Sequence, residues 1–322
     1  MLAVFVTGAS GCVGHYVVSH LSTLPDVHVY ALVRDPAKLS ATIDRQRVTV
    51  IPGDLEQIEH QADLLSRMDV VVHIATAWGD DERAWRINVT QTEILLRLLN
   101  PDRCQKVLYF STASILDTQE RPIAVAGEAG TGYIRSKYAM LLQKENLPLA
   151  DRIITLYPTL LFGGDPDFPY THITQGLPEI MPWMGLARFL RIDASFHFIH
   201  AADIAQIVGY LLTHAAPRPH LILGNVPLTF DQAIETCCAF LGKRIYFRLP
   251  IPVLFLRRIS FLFPVQLSAW DDYCLHNRHF VYANAVNAAS FGLPSRCSDL
   301  KSLLSTYVPT PARLSTSTAV TL

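Results

Sequence analysis

The chain has 322 residues, half of them hydrophobic and 17% charged, with 27 basic against 28 acidic side chains. It is long enough to bury a sizeable core, too apolar for a disordered chain, and lacks the basic excess that a nucleic-acid partner requires. The six cysteines, Cys12, Cys104, Cys237, Cys238, Cys274 and Cys297, show neither a CxxC pair nor metal-ligand spacing. Buried free thiols are therefore expected, and no metal site.

Along the chain, strand-length apolar runs alternate with segments of helical period. Leu2–Val6 reads as the first strand and Cys12–Leu24 as a helix stopped by Pro25. Strands follow at Val27–Val33 and Val48–Ile51, then a helix over Glu56–Arg67, a strand at Val70–Ile74 and a helix over Trp85–Leu99. Val107–Phe110 is a fifth strand, residues 132–146 a helix and Ile153–Tyr157 a sixth strand. Nearly continuous Val/Ile/Leu strands separated by helices imply α/β architecture: a doubly wound parallel Rossmann sheet covered on both faces.

Beyond residue 160 the pattern loosens. Prolines at 166, 169, 178 and 182 predict a loop-rich Phe162–Trp183. Phe196–Ile199 and Leu221–Leu223 read as late strands around a helix at Ala202–Thr213, with extended pieces near Arg244–Phe247 and Phe280–Tyr282. The division expected is an NAD(P)-binding domain over 1–160, a smaller, mostly helical substrate-binding region over 161–310 and a frayed tail over 311–322. Leu2–Val6 is too short for a signal peptide, and no uncharged apolar run approaches about 18 residues, so no spanning helix is expected and the cytoplasm is the default.

The first strand runs into Thr7-Gly8-Ala9-Ser10-Gly11-Cys12-Val13-Gly14. A dinucleotide pyrophosphate needs backbone N–H groups brought close at a helix N-terminus. Gly8 permits the tight turn, Gly11 a close approach of backbone to phosphate, and Gly14 close packing of the helix against the sheet. After the second strand, Arg34 could fork onto a ribose 2′-phosphate, with Lys38 further on, while Asp35 could cap the next helix ahead of Pro36. That arrangement favours NADP, with NAD the alternative. Asp54, in Gly53-Asp54-Leu55, could accept a hydrogen bond from adenine or cap a helix.

Tyr133 and Lys137 stand four apart on a predicted helix and so share a face. A cation there would stabilise the phenolate and lower the tyrosine pKa, letting it exchange a proton with a substrate oxygen while hydride moves to or from a nicotinamide. Phe110-Ser111-Thr112-Ala113-Ser114 places hydroxyls just past a strand end.

Together TGASGCVG, GDL, His73-Ile74-Ala75, Asn88, FSTAS and YIRSK resemble the extended short-chain dehydrogenase/reductase family, the group called NAD-dependent epimerase/dehydratase. The resemblance implies Tyr133 as general acid/base, Lys137 as its activator and Thr112 as the catalytic hydroxyl, ahead of Ser111 and Ser114. It implies that Ala75, Thr76 and Ala77 lie on the cofactor wall, that Asn88 props the site, and that Tyr157-Pro158-Thr159 lines the nicotinamide, with Tyr157 replacing the family's usual arginine. It makes Asp203 structural, as a helix cap, and a homodimer the expected assembly.

His197 and His200 lack a carboxylate at ligand spacing and read as structural. Trp78 could cover the nicotinamide, line the substrate pocket or simply pack. Arg188, Arg191, Arg244 and Arg248 could hold a diphosphate or lie on solvated faces. Leu249–Pro264, strongly apolar around Arg257 and Arg258, could be a packed helix, a hydrophobic-substrate lid or a peripheral membrane contact. It tilts the small-molecule substrate towards a lipid-like, isoprenoid or aromatic alcohol or ketone. Three functions stay open: an NAD(P)-dependent oxidoreductase acting on a carbonyl or secondary alcohol, a nucleotide-sugar epimerase or dehydratase holding NAD tightly, and a non-catalytic dinucleotide sensor or assembly protein. The last would have no need of the Thr/Tyr/Lys set.

Overall fold

The computed structural model describes residues 1–251 and 268–309. The apolar Leu249–Pro264 segment from residue 252 onward, and the expected tail, lie outside the described residues. In chain order the first eleven strands of the described residues are β1 (Leu2–Thr7), β2 (Val27–Val33), β3 (Val48–Pro52), β4 (Val70–His73), β5 (Lys106–Phe110), β6 (Ile153–Pro158), β7 (Leu160–Phe162), β8 (Leu190–Arg191), β9 (Ser195–Phe196), β10 (Phe198–His200) and β11 (His220–Leu223). Seven of them form one parallel sheet in the order β11-β6-β5-β4-β1-β2-β3. This is the doubly wound order, in which the winding reverses beside β1 and leaves a crevice at the C-terminal ends of the strands.

Strand alternation sorts the core onto two faces. Val4 and Val6 of β1 pack with α1 (Cys12–Ser22) and the helix Ala201–Thr213, while Phe5 faces Leu55, Ile58, Leu95 and Met140 on the other side. Val70 and Val72 against Val71, and Leu108 and Phe110 against Val107 and Tyr109, repeat the split. Each such side chain contributes about 1.5–3 kcal/mol on burial, so both layers of helices are held to the sheet along its length. All six cysteines are free.

Several elements depart from the sequence pattern for identifiable reasons. The helix expected at Trp85–Leu99 begins at Asp81, because the Asp80 side chain accepts from the Arg83 N–H at 2.6 Å. It then widens into a π-helical turn over Arg86–Gln91 before the α-helix Thr92–Arg97. The expected helix Glu56–Arg67 is a 3₁₀ segment, Leu55–Gln61, kinked at Gln57 and continued by Ala62–Leu65. Inside the proline-rich stretch, His172–Ile180 is helical, capped by Thr171, with the Pro178 ring at the surface. The strand expected at Phe196–Ile199 is split at His197. Phe196 pairs antiparallel with Leu228, whereas Phe198–His200 pairs parallel with β7. No strand forms at Arg244–Phe247; Leu249–Pro250 pairs with β8 instead.

Candidate active site

At the end of β1 the chain turns through Gly8 with φ of 71°, a left-handed conformation that favours glycine. A Cβ there would also press on the Ala75 backbone at 2.7 Å. Gly14 is required for a reason other than sheet packing: a Cβ on it would collide with the Gly8 carbonyl and Ala9, so the loop closes onto the first turn of α1. The helix cap, Gly11, offers no side-chain hydrogen bond, and the first turn carries no acidic residue. The N–H groups of Cys12, Val13 and Gly14 therefore form a positive helix end suited to an anion, and the loop fits a dinucleotide pyrophosphate.

Around it, Arg34 is exposed at the end of β2. Asp35 caps Pro36–Lys38, accepting from the Ala37 N–H at 3.0 Å. Asp54 caps the next segment, accepting from Glu56 N–H at 3.1 Å, with Leu55 buried behind it. Ala75, Thr76 and Ala77 follow β4. Pro158 ends β6, and the Thr159 hydroxyl donates to the Leu223 carbonyl at 2.8 Å.

Tyr133 and Lys137 lie in the helix Gly132–Gln143, capped by Thr131. The Lys137 ammonium is enclosed. It donates to the Phe110 carbonyl at 2.9 Å and sits 6.0 Å from the centre of the Tyr133 ring. Burial pulls it down from 10.5 to about 7. Burial pushes the Tyr133 phenol up to about 12, opposed by a hydrogen bond with Thr112. The direction is opposite to the lowered tyrosine pKa expected from the sequence: desolvation dominates, and the group that pulls the phenol down is Thr112. Thr112 also caps the turn Ala113–Ile115. The hydroxyl of Ser111, its neighbour, is buried with no hydrogen-bond partner. Trp78 lies flat on Tyr133, ring centres 4.0 Å apart and planes 8° apart.

Asn88 sits in the π-helical turn. Its carbonyl oxygen accepts from Thr76 Oγ1 and the Ala77 N–H, both at 2.9 Å. Its amide donates to the Ala77 carbonyl at 3.1 Å and to Ser136 Oγ at 2.9 Å. Ser136 in turn donates to the Tyr133 carbonyl at 2.8 Å. One side chain thus ties the loop after β4 to the Tyr133 helix. Sequence reasoning overlooked Ser136, as well as a second buried chain. His73 bridges Thr7 and Thr92 at 2.8 and 2.9 Å, and burial holds it neutral, down at about 3. Polar residues closing apolar strands, Thr7 and His73, were the available signal.

Asp203 is structural but caps no helix. His200 holds that place, accepting from the Ala202 N–H at 3.0 Å, while buried Asp203 accepts from Ser295 Oγ and the Arg296 N–H, both at 2.7 Å. His197 joins Asn225 O and Tyr282 N–H. Among the described residues no cluster of three or more His, Cys, Asp or Glu is arranged to hold a metal, and no helix is long and apolar enough to cross a membrane.

Residues 4–224 match the profile of the NAD dependent epimerase/dehydratase family. The chain belongs to that family. A curated relative, the 4-hydroxy-2-methyl-3-oxo-4-farnesyl-3,4-dihydroquinoline-1-oxide ketoreductase of Stigmatella aurantiaca, is 25% identical over 227 residues, 67% of this chain and 65% of the relative. A fungal hybrid PKS-NRPS synthetase is 29% identical over 43% of this chain and 4% of its own length. The family member thus spans less than two thirds of the curated relatives it matches. Among solved structures, the terminal R domain from the myxalamid PKS-NRPS biosynthetic pathway has a TM-score of 0.67 at 16% identity, covering 98% of this chain and 92% of that one. UDP-glucose 4-epimerase from Thermotoga maritima, with UDP-glucose, has a TM-score of 0.63 at 14% identity, covering 97% and 99%. At these identities the likeness is one of fold.

Proposed function

We propose that this family member is an NAD(P)-dependent oxidoreductase that moves hydride between a nicotinamide and a carbonyl or secondary alcohol. The observation that carries the reading is the meeting of Thr112 and Tyr133 over an enclosed Lys137 at the C-terminal end of β5. A bound nicotinamide dinucleotide supplies the hydride. Gly8, Ala9, Ser10, Gly11, Cys12, Val13 and Gly14 would hold its pyrophosphate, Asp54 and Leu55 would border the adenine, and Ala75, Thr76, Ala77, Pro158 and Thr159 would line the nicotinamide half. Thr112 orients the substrate oxygen. Tyr133 gives that oxygen its proton, and a phenol that stays protonated at neutral pH suits carbonyl reduction. Lys137 anchors the helix to β5 through the Phe110 carbonyl. Asn88 acts through Ser136 and is a positioning residue.

Arg34, exposed at the end of β2 while Asp35 is engaged as a cap, supports a preference for NADP. Fluorescence titration checks it: Arg34→Ala should weaken NADPH roughly tenfold, about 1.4 kcal/mol, and leave NADH unchanged. Equal losses for both cofactors would remove the preference. A substrate without a diphosphate is supported by the arginines of the second half. Arg191 and Arg248 pair with Asp231, Arg248 also with Glu235, and Arg188 donates to the Arg244 carbonyl. The ketone named for the Stigmatella relative carries a farnesyl chain and no diphosphate, and supports the same choice. Exposed Trp85 and Leu142, beside Tyr138 on the outer face of the Tyr133 helix, support a helix-paired homodimer. Dinucleotide consumption against a panel of apolar ketones tests the activity. Tyr133→Phe should cost about 10²–10⁴-fold in turnover, and unchanged turnover would discard the reading.

A further inference from the structure

His15 follows Gly14 in the first turn of α1 and is 1% exposed, yet nothing in the site described above uses it. Its Nδ1 faces the Gly11 carbonyl at 2.9 Å, so that nitrogen carries a hydrogen and donates. Its Nε2 lies 3.1 Å from the Lys38 carbonyl and 3.2 Å from the Ser40 N–H. As an imidazolium the ring donates to the Lys38 carbonyl; as a neutral ring it accepts from the Ser40 N–H. In either state one bond holds segment 38–40 on α1. That segment is the far end of the turn Pro36–Lys38, which follows Arg34. Its near end is fixed by Asp35, whose side chain accepts from the Ala37 N–H at 3.0 Å and whose carbonyl accepts from the Lys38 N–H at 3.0 Å. Arg34 and Lys38 are exposed, and neither has an ion pair among the described residues. A turn pinned at Asp35 and at His15 thus carries two free cations.

We infer that His15 is a positioning residue for cofactor selectivity: by holding segment 38–40 on α1 it keeps Arg34 and Lys38 together on one turn for the ribose 2′-phosphate of NADP. Two cations on a fixed turn lose less freedom when they meet a phosphate than two on a loose one. NAD has a hydroxyl in that place and gains little from either. Without the imidazole, the Lys38 carbonyl and the Ser40 N–H lose their partner and turn to water, and the turn is released from α1. The Gly11 carbonyl keeps the His15 backbone N–H at 2.9 Å, so the pyrophosphate loop holds its shape. The inference rests on the NADP preference read from Arg34, and it names what sets that preference.

The test is fluorescence titration of NADPH and of NADH against His15 variants. His15→Leu should weaken NADPH about fivefold and NADH by less than about twofold. Glutamine carries a donor and an acceptor at a similar reach, so His15→Gln should stay within about twofold of wild type for both dinucleotides, a rescue that a packing role would not require. Should His15→Leu fail to fold, His15→Asn carries the same prediction, because its amide is too short to reach segment 38–40. With Arg34→Ala and Lys38→Ala already in place, His15→Leu should change NADPH affinity by less than about twofold, since nothing is left for it to position. Equal weakening of both dinucleotides by His15→Leu, no weakening of NADPH, no rescue by His15→Gln, or an undiminished loss in the doubly substituted background would overturn the inference. Arg34→Ala separates the two levels. A preference for NADPH that is lost in Arg34→Ala but kept in His15→Leu counts against the inference alone; a wild type without the preference removes the NADP reading and the inference with it.

Discussion

At the glycine loop, function depends on atoms that are missing: no Cβ on Gly14 to strike the Gly8 carbonyl, and no capping side chain on the first turn of α1. At the other end of the crevice it depends on polar atoms placed where water does not follow: the Lys137 ammonium on the Phe110 carbonyl, Tyr133 against Thr112, and Asn88 spanning two segments. The first region is specified by sterics and should be indifferent to pH. The second is specified by buried charge and hydrogen bonds, and should respond to pH and to the removal of single polar atoms.

The contrast is sharpest at Gly14. Gly14→Ala puts a methyl group into the Gly8 carbonyl, and overpacking of this kind costs about 1–3 kcal/mol. Dinucleotide affinity should drop by more than about tenfold across the whole pH range. A pH-dependent loss in isothermal titration would blur the distinction. Lys137 carries the opposite signature. Its pKa falls from 10.5 unfolded to about 7 folded, so between those values the unfolded chain holds a proton that the folded chain does not, and stability rises with pH. The contribution is complete above the unfolded value and is lost as pH falls towards 7. The stability of wild type relative to Lys137→Met, from urea melts, should therefore climb from neutral pH to about 10, by at most about 1.4 kcal/mol per pH unit. Tyr133 works the other way: its folded pKa is raised to about 12, so its contribution is present below its unfolded value of 10 and lost as pH rises through 12. A flat difference between wild type and Lys137→Met would contradict the enclosed ammonium. Asn88→Ala removes hydrogen bonds to the backbone of Ala77 and to Ser136. The cost should be about 1–3 kcal/mol of stability, with kcat falling more than KM rises. An effect on KM alone would remove its positioning role.

How far each region was legible in the sequence follows from the same physics. Strands buried on both faces must be apolar throughout, so Val27–Val33 coincides with its observed limits and the other main strands fall within a residue or two. The glycine loop was legible because only glycine satisfies Gly8 and Gly14, and the Tyr133–Lys137 pair because i and i+4 share a helical face. The π-helical turn at Arg86–Gln91 was not, since it is stabilised by Asn88 reaching Ala77 and Ser136, contacts between distant segments. His200 rather than Asp203 as the cap, the split at His197 and the seat of Trp78 on Tyr133 likewise depend on which segments meet. The sign of the Tyr133 shift was misjudged because spacing reveals a nearby cation but not the loss of water around both groups.

The central claim is that the Tyr133 hydroxyl supplies the proton at a site organised by Thr112 and Lys137. Single-turnover reduction of a ketone from that apolar panel with NADPH pre-bound, in wild type and Tyr133→Phe, tests it most directly because binding is complete before the measurement starts. The account predicts that Tyr133→Phe binds NADPH as wild type does and transfers hydride about 10²–10⁴-fold more slowly. Equal rates in the two proteins would contradict it.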